Sequence, residues 1–174
     1  MQELAINLND VQLAIDGDKE VLENILNTLK NQLFNIALAI LKNKQDAEDA
    51  LQETYLKAFK NIHKIKHKQF FATWVTRVLI NNARTIQKKN RRYLLQENIS
   101  TIYNTPLNEN ELLIKDLLDR LQEKERMIIY LKFYGGFEIS SIAKILRCPE
   151  STVKSRLYRG LNRLRKEFDE SNEK

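Results

Sequence analysis

Only four glycines and two prolines occur in 174 residues. Tight turns draw on these two residues more than on any others, so a sheet with many hairpins is excluded and long helices are implied. Apolar residues make up 43% of the chain, enough for real cores. The spacing predicts a short helix over Asp10–Asp16, ended by Gly17, with Asp18 capping the next. There Val21, Leu22, Ile25, Leu29, Leu33, Ile36, Ala37 and Ile40 recur at helical intervals up to Lys42. A second long helix is read from Lys44 to Ile62 and a third from Phe70 to Lys89, joined by the basic segment Asn61–Gln69.

Residues 90–108 are rich in Asn, Ser and Thr and carry Pro106, which breaks any sustained period. The expectation is all-α: two small helical domains, 1–90 and 109–174, joined by a flexible linker over 91–108. The second domain is read as four short helices, Asn110–Leu121, Glu123–Tyr134, Glu138–Leu146 and Glu150–Phe168. Gly135-Gly136 ends the second of these, and Arg147-Cys148-Pro149 turns the third into the fourth.

Charge is distributed in blocks. Lys and Arg against Asp and Glu give −4 over 1–62, +9 over 63–93, −3 over 94–127 and +4 over 128–174. A long block with nine basic residues and no carboxylate points to a polyanion, and the acidic block before it to a different partner. Cys148 is the one cysteine, so no internal disulfide forms and a cytoplasmic setting is expected. His63 and His67 stand four apart among lysines, with no carboxylate or second cysteine nearby, a poor set of metal ligands. Met1–Asp10 lacks a basic start followed by an apolar run, so no signal peptide is expected, and the most apolar run, Leu33–Leu41, is too short to cross a bilayer. Gly-rich phosphate loops, zinc spacings and nucleophile–histidine pairs are missing from the sequence, so neither catalysis nor a cofactor is expected.

The stretch Glu138–Leu161 carries the strongest local signal. Ile139, Ile142, Ala143 and Leu146 line the inner side of one helix, and Val153, Leu157, Leu161 and Leu164 that of the next. Two helices meeting at a short turn form a helix-turn-helix, whose second helix enters the major groove. Ser151, Thr152, Lys154, Ser155, Arg156 and Arg159 are left outward or flanking. Hydroxyls and cations suit phosphates and base edges there. A plain helical hairpin with a basic exterior is the bland alternative.

A second signal is Asp46-Ala47-Glu48-Asp49-Ala50-Leu51-Gln52-Glu53-Thr54-Tyr55. On a helix, Asp49, Gln52, Glu53 and Leu56 share one face, and Ala47, Leu51, Thr54, Tyr55 and Ala58 the opposite one. This string resembles the D-A-E-D-x-x-Q-E-x-F signature of region two in extracytoplasmic-function sigma factors. Phe71-Ala72-Thr73-Trp74-Val75-Thr76-Arg77-Val78-Leu79-Ile80-Asn81 is similar to that family's F-x-x-W-L-x-R-I-A-x-N. Cys148-Pro149-Glu150-Ser151-Thr152-Val153-Lys154-Ser155-Arg156-Leu157 resembles its C-P-x-G-T-V-K-S-R-L. The likeness covers about residues 12–90 and 111–167.

The resemblance implies a transcription-initiation factor that binds core RNA polymerase and promoter DNA and is held in check by an anti-sigma factor. It assigns Asp49, Gln52 and Glu53 to the polymerase. It gives the downstream (minus ten) element, with a captured flipped base, to Asn61–Gln69, with Asn61 among the contacts and Lys64, Lys66 and Lys68 suited to phosphates. Arg77, Asn81, Arg84 and Lys88 follow along the third helix. The last helix takes the upstream (minus thirty-five) element. Trp74, with Phe71, Val75, Val78 and Leu79, is read as core. Thr85 stands where the family usually has Asp, Lys88 where it often has Arg, and Arg147 and Ser151 where it has Gly. A stand-alone helix-turn-helix regulator would not need the acidic stripe, and a helical adaptor would leave the +9 block unexplained.

Overall fold

The computed structural model describes residues 6–97 and 116–172, all in helices and the turns between them. It divides into two units at residues 101/102.

In the first unit, α1 (Leu8–Ile15) is capped by Asn7, whose side chain accepts from the Asn9 amide, and α2 (Lys19–Leu41) by Asp18, which accepts from Val21. α1 begins two residues earlier than its periodicity suggests, because Asn7 satisfies the first orphan amide. Lys42 takes the left-handed conformation (φ 56°) that closes α2, and the half-turn leads to Asn43, the cap of α3 (Lys44–Asn61). α3 gives way to a 3-10 turn at Ile62–Lys64. A second 3-10 turn, Lys68–Phe70, opens α4 (Phe71–Glu97).

α2, α3 and α4 pack on one another, and α1 packs against α2 and both 3-10 turns. Leu22, Ile25, Leu29, Leu33, Ile36, Ala37 and Ile40 are all buried, as their spacing requires. From α3 come Leu51 and the small Ala47, Ala50 and Ala58, which let helices approach closely, and from α4 Phe71, Val75, Leu79 and Ala83. Trp74 and Val78 are half-buried at the edge of this core, with the Trp74 ring centroid 6.1 Å from that of Phe71.

Two expectations are corrected here. α4 does not stop near Lys89 but runs to Glu97, so the expected linker residues 91–97 are helical. Asn90 does not break the helix: its amide donates to Asp46 Oδ2 at 2.8 Å, while Gln87 Nε2 donates to the Ile40 carbonyl at 3.2 Å. Tertiary hydrogen bonds override the weak propensity of Asn, and Arg, Leu, Gln and Glu beyond it are good helix formers. Residues 98–108 of that linker lie outside the described residues, as do 110–115 of the first C-terminal helix.

In the second unit, residues 116–119 are helical and lead through a turn to α5 (Glu123–Ile129). α5 widens into a π-turn at Tyr130–Tyr134, which ends at Gly135-Gly136, and α6 (Ile139–Leu146) and α7 (Glu150–Asn172) follow. The buried side of α6 is Ile142, Ala143 and Ile145, and that of α7 is Val153, Leu157 and Gly160. Ile139, Leu146, Leu161 and Leu164, read as fully inner, are half-buried. Arg126 is buried and reaches back to the Asp119 carboxylate at 3.7 Å and the Leu121 carbonyl at 3.5 Å, tying the turn before α5 to the helix.

Candidate functional site

The polymerase-facing candidates all lie on α3, whose inner side is fixed by Ala47, Ala50, Leu51, Thr54 and Ala58. Asp49, Gln52 and Glu53 are exposed on the opposite side, together with Leu56. Their own partners are weak. Gln45 Nε2 donates to Asp49 Oδ1 at 3.4 Å, and Glu53 pairs with Lys57 at 3.3 Å, one turn on. Exposed pairs of this kind are worth about 0.3–0.5 kcal/mol, so both carboxylates are available to a cationic partner. Asp46, at the start of this helix, is half-buried and turned away. Burial pushes its carboxyl above the usual value, the Asn90 hydrogen bond opposes this, and the nearby Asp49 charge adds to it.

Beneath the stripe lies a polar relay. Lys57 Nζ donates to Asn82 Oδ1 at 2.6 Å, Asn82 Nδ2 to Thr54 Oγ1 at 3.0 Å, and Thr54 Oγ1 to the Ala50 carbonyl at 2.6 Å. Thr54 is 0% and Asn82 5% exposed, so this relay joins α3 to α4 inside the core. The family-like motif draws attention to Asn81, which is exposed, and away from its buried neighbour. Only the helical phase of Val75, Leu79 and Ala83 on α4 points to Asn82.

The basic segment 61–69 is ordered rather than an irregular connection. It is two 3-10 turns, with Ile62 buried and Ile65 half-buried, held against α1. Asn61 Nδ2 donates to the Lys57 carbonyl, and Lys64 Nζ to Asn61 Oδ1 at 2.8 Å. Apolar anchors at alternate turns give this stretch its order, which a count of lysines hides. Lys64 and Lys66 are exposed, whereas Asn61 and Lys68 are half-buried. Phe70 is exposed and stands edge-on to His67, ring centroids 6.0 Å apart. Arg77, Asn81, Arg84 and Lys88 recur at intervals of four, three and four residues, one face of α4. Asn81 and Arg84 are exposed, and Arg77 is half-buried.

In the second unit, α6 and α7 meet at Arg147-Cys148-Pro149. Arg147 adopts the left-handed conformation (φ 54°, ψ 50°) and its amide closes α6 on the Ala143 carbonyl, so a non-glycine residue completes the turn here. Cys148 also donates to Ala143, and the Thr152 and Val153 amides to Pro149, which starts α7 without distortion at Ser151. Ser151, Lys154, Ser155 and Arg159 are exposed, and Thr152 and Arg156 half-buried. Ser155 Oγ donates to the Thr152 carbonyl and Arg159 Nε to that of Ser155. Tyr158 is 66% exposed on the same side; being uncharged, it escapes a search for cations.

A two-helix reader with a hydroxyl- and cation-bearing face belongs to the DNA-binding helix-turn-helix proteins. Similarity to known proteins narrows that class. Residues 25–93 match the family described as sigma-70 region 2, and residues 111–164 that described as sigma-70, region 4. The ECF RNA polymerase sigma factor SigW of Bacillus subtilis is 28% identical over 170 residues, 87% of this chain and 91% of the relative. The RNA polymerase sigma factor SigV of the same organism is 26% identical over 150 residues, 84% and 90%. Among solved structures, the sigma factor RpoE of Bartonella quintana, in complex with the anti-sigma factor NepR, shares the fold. Its TM-score is 0.74 at 24% identity, over 83% of this chain and 94% of that one. CnrH, in complex with the cytosolic domain of CnrY, shares it with a TM-score of 0.73 at 18% identity, over 93% and 96%. This chain belongs to the sigma-70 family of RNA polymerase sigma factors, in its extracytoplasmic-function group. Among the described residues, no helix is long and apolar enough to cross a membrane.

Proposed function

We propose that this sigma factor docks on core RNA polymerase through Asp49, Gln52 and Glu53, and that two separate surfaces read the promoter. Asn61, Lys64, Lys66 and Lys68, with Arg77, Asn81, Arg84 and Lys88, hold the downstream element as it opens. Ser151, Thr152, Lys154, Ser155, Arg156 and Arg159 read the upstream element as duplex. No catalysis belongs to the chain itself, which acts in the cytoplasm, where polymerase and promoter are. The same division of labour follows the two domains, the first of which extends through α4 to Glu97.

The observation that carries this reading is the separation of charge within one small bundle. α3 presents carboxylates outward while the 3-10 turns and α4 present cations, and no acidic residue occurs between 63 and 93. A nucleic acid and a basic protein surface select different faces of such a bundle. The structure of RpoE with the anti-sigma factor NepR supports a regulatory partner of the anti-sigma kind, and CnrH was likewise solved in complex with a protein domain, that of CnrY. The test is assembly with core polymerase. The chain should co-purify with the core enzyme and confer initiation at a defined promoter set. Specific duplex binding with no affinity for core enzyme would instead make it a stand-alone regulator.

A further inference from the structure

α7 is 23 residues long, and the helix-turn-helix uses only its first half. The second half is locked to α5. Gly160 lies where the two helices come close: a Cβ there would stand 2.9 Å from Ile129 Cδ1 and 3.3 Å from Glu125 Cβ, so the Ile129 side chain would have to shift to admit it. Just beyond this approach, Arg163 Nη1 donates to Glu125 Oε2 at 3.3 Å. The Glu125 side chain is 2% exposed and that of Arg163 49%. A carboxylate this deep is costly unless a cation and hydrogen bonds meet it. One turn further, Glu167 accepts from Arg120 Nη1 at 2.8 Å, and Arg120 Nη2 holds Asp116 at the same distance.

By sequence, Arg163 is one more cation on a basic helix. We propose instead that Arg163 is a positioning residue. Its pairing with buried Glu125, one turn past Gly160, fixes the direction in which α7 presents Ser151, Lys154, Ser155 and Arg156 to the upstream duplex. The inference rests on α7 being the upstream reader. It makes a prediction whose sign is opposite to that of simple electrostatics. On a helix that is merely basic, removing a carboxylate lessens repulsion and strengthens DNA binding. If Glu125 orients the helix, removing its charge weakens specific binding.

The test uses the full chain, a duplex selected by the wild-type protein from a random pool, and an unselected random duplex, each titrated over a salt series. Glu125→Gln and Arg163→Gln should each lower affinity for the selected duplex about tenfold, and the double variant should lose no more than either alone. Random-duplex affinity and the salt slope should hold. Arg163→Gln, at a half-exposed position, carries the test by itself if Glu125→Gln melts below the assay temperature. Tighter or unchanged binding by Glu125→Gln overturns the inference. So does an equal loss on both duplexes by Arg163→Gln with a salt slope lower by about one unit, which makes Arg163 a phosphate contact. Replacing Ser151, Lys154, Ser155 and Arg156 together by Ala reports on the parent reading: if the selected preference survives, α7 is not the reader and both fall.

Discussion

The Tyr55 hydroxyl on α3 donates to the Leu26 carbonyl in the middle of α2, 2.7 Å away. Burial pushes this phenol up to about 12. In the unfolded chain it ionises near 10, so between those values the unfolded state sheds a proton that the folded state keeps. The stability so contributed is fully present below pH 10 and is lost as pH rises towards 12. Tyr55→Phe should cost about 1 kcal/mol at neutral pH. It should also flatten the fall in stability above pH 10 relative to wild type. Urea unfolding at pH 8 and pH 10.5 measures both, and parallel losses in the two proteins would show that Tyr55 ionises freely.

Asp49→Lys combined with Glu53→Lys should abolish binding to core polymerase and leave helical circular dichroism unchanged. Both side chains are exposed, and neither holds the fold beyond a weak interaction one turn away. The new lysine at 53 faces Lys57 at the i,i+4 spacing, a repulsion of a few tenths of a kcal/mol, about the size of the attraction it replaces. Wild-type transcription by the double variant with core enzyme would remove α3 from the docking surface.

The fold was legible wherever one helix face alone decided burial. α2 is the clearest case, because its apolar period runs unbroken from Leu22 to Ile40 and every member is buried. The site was legible as faces and not as partners. Asp49 and Glu53 point outward because Ala50 and Leu51 point inward, which helical phase dictates. The Asn82 relay, the Glu125–Arg163 pair and the Asn90 hydrogen bond each join residues more than twenty positions apart. No local pattern announces such a pairing. For the same reason, Asn90 reads as a helix breaker until Asp46 is seen beside it.

Arg156→Ala and Lys154→Ala should fail differently on promoter DNA. Arg156 is half-buried at the foot of the reading helix, where a guanidinium has a fixed approach to a base edge. Its loss should cost about 1–3 kcal/mol and relax preference at one or two base pairs. Lys154 is exposed and flexible, so its loss should weaken binding to all sequences and lower the salt slope by about one unit. Holoenzyme binding to a mutated promoter panel at several salt concentrations separates the two. Equal losses across the panel for Arg156→Ala would reassign it to the backbone.

Gly135 and Gly136 end the π-turn, and the one with the ordinary backbone should be the less replaceable. Gly136 has φ +65° but open space around it, so Ala there should cost about 1 kcal/mol, the usual penalty of a left-handed residue. Gly135 has φ −80°, yet a Cβ would come 2.5 Å from the Leu131 carbonyl oxygen and 2.7 Å from Phe137 Cδ2. Backbone cannot swing aside as a side chain can, so Gly135→Ala should cost about 2 kcal/mol or more. Thermal unfolding of the two variants should rank them in that order.

The last prediction concerns the downstream segment, whose two anchored turns change how it should be tested. Ile62 is buried and Phe71 closes the far end of the stretch in the core, so residues 63–69 are a short span between fixed posts. Lys64 and Lys66 are exposed on that span, and the exposed Phe70 ring at its end can stack on an unpaired base. A rigid, basic, aromatic-edged span suits a strand already opened better than a closed groove, because base capture needs unstacked bases. Exchanging residues 63–69 for those of another family member, with Ile62 and Phe71 kept, should therefore change which downstream element is opened. Upstream preference should stay fixed. Transcription with core polymerase on promoters varied one element at a time reads both. A shift at the upstream element, or no shift while the protein stays folded, would leave the downstream contacts to Arg77, Asn81, Arg84 and Lys88. Replacing Arg77, Arg84 and Lys88 by Ala in turn would then show each cation's share through the salt dependence of opening, since every phosphate that goes unneutralised lowers that slope by about one unit.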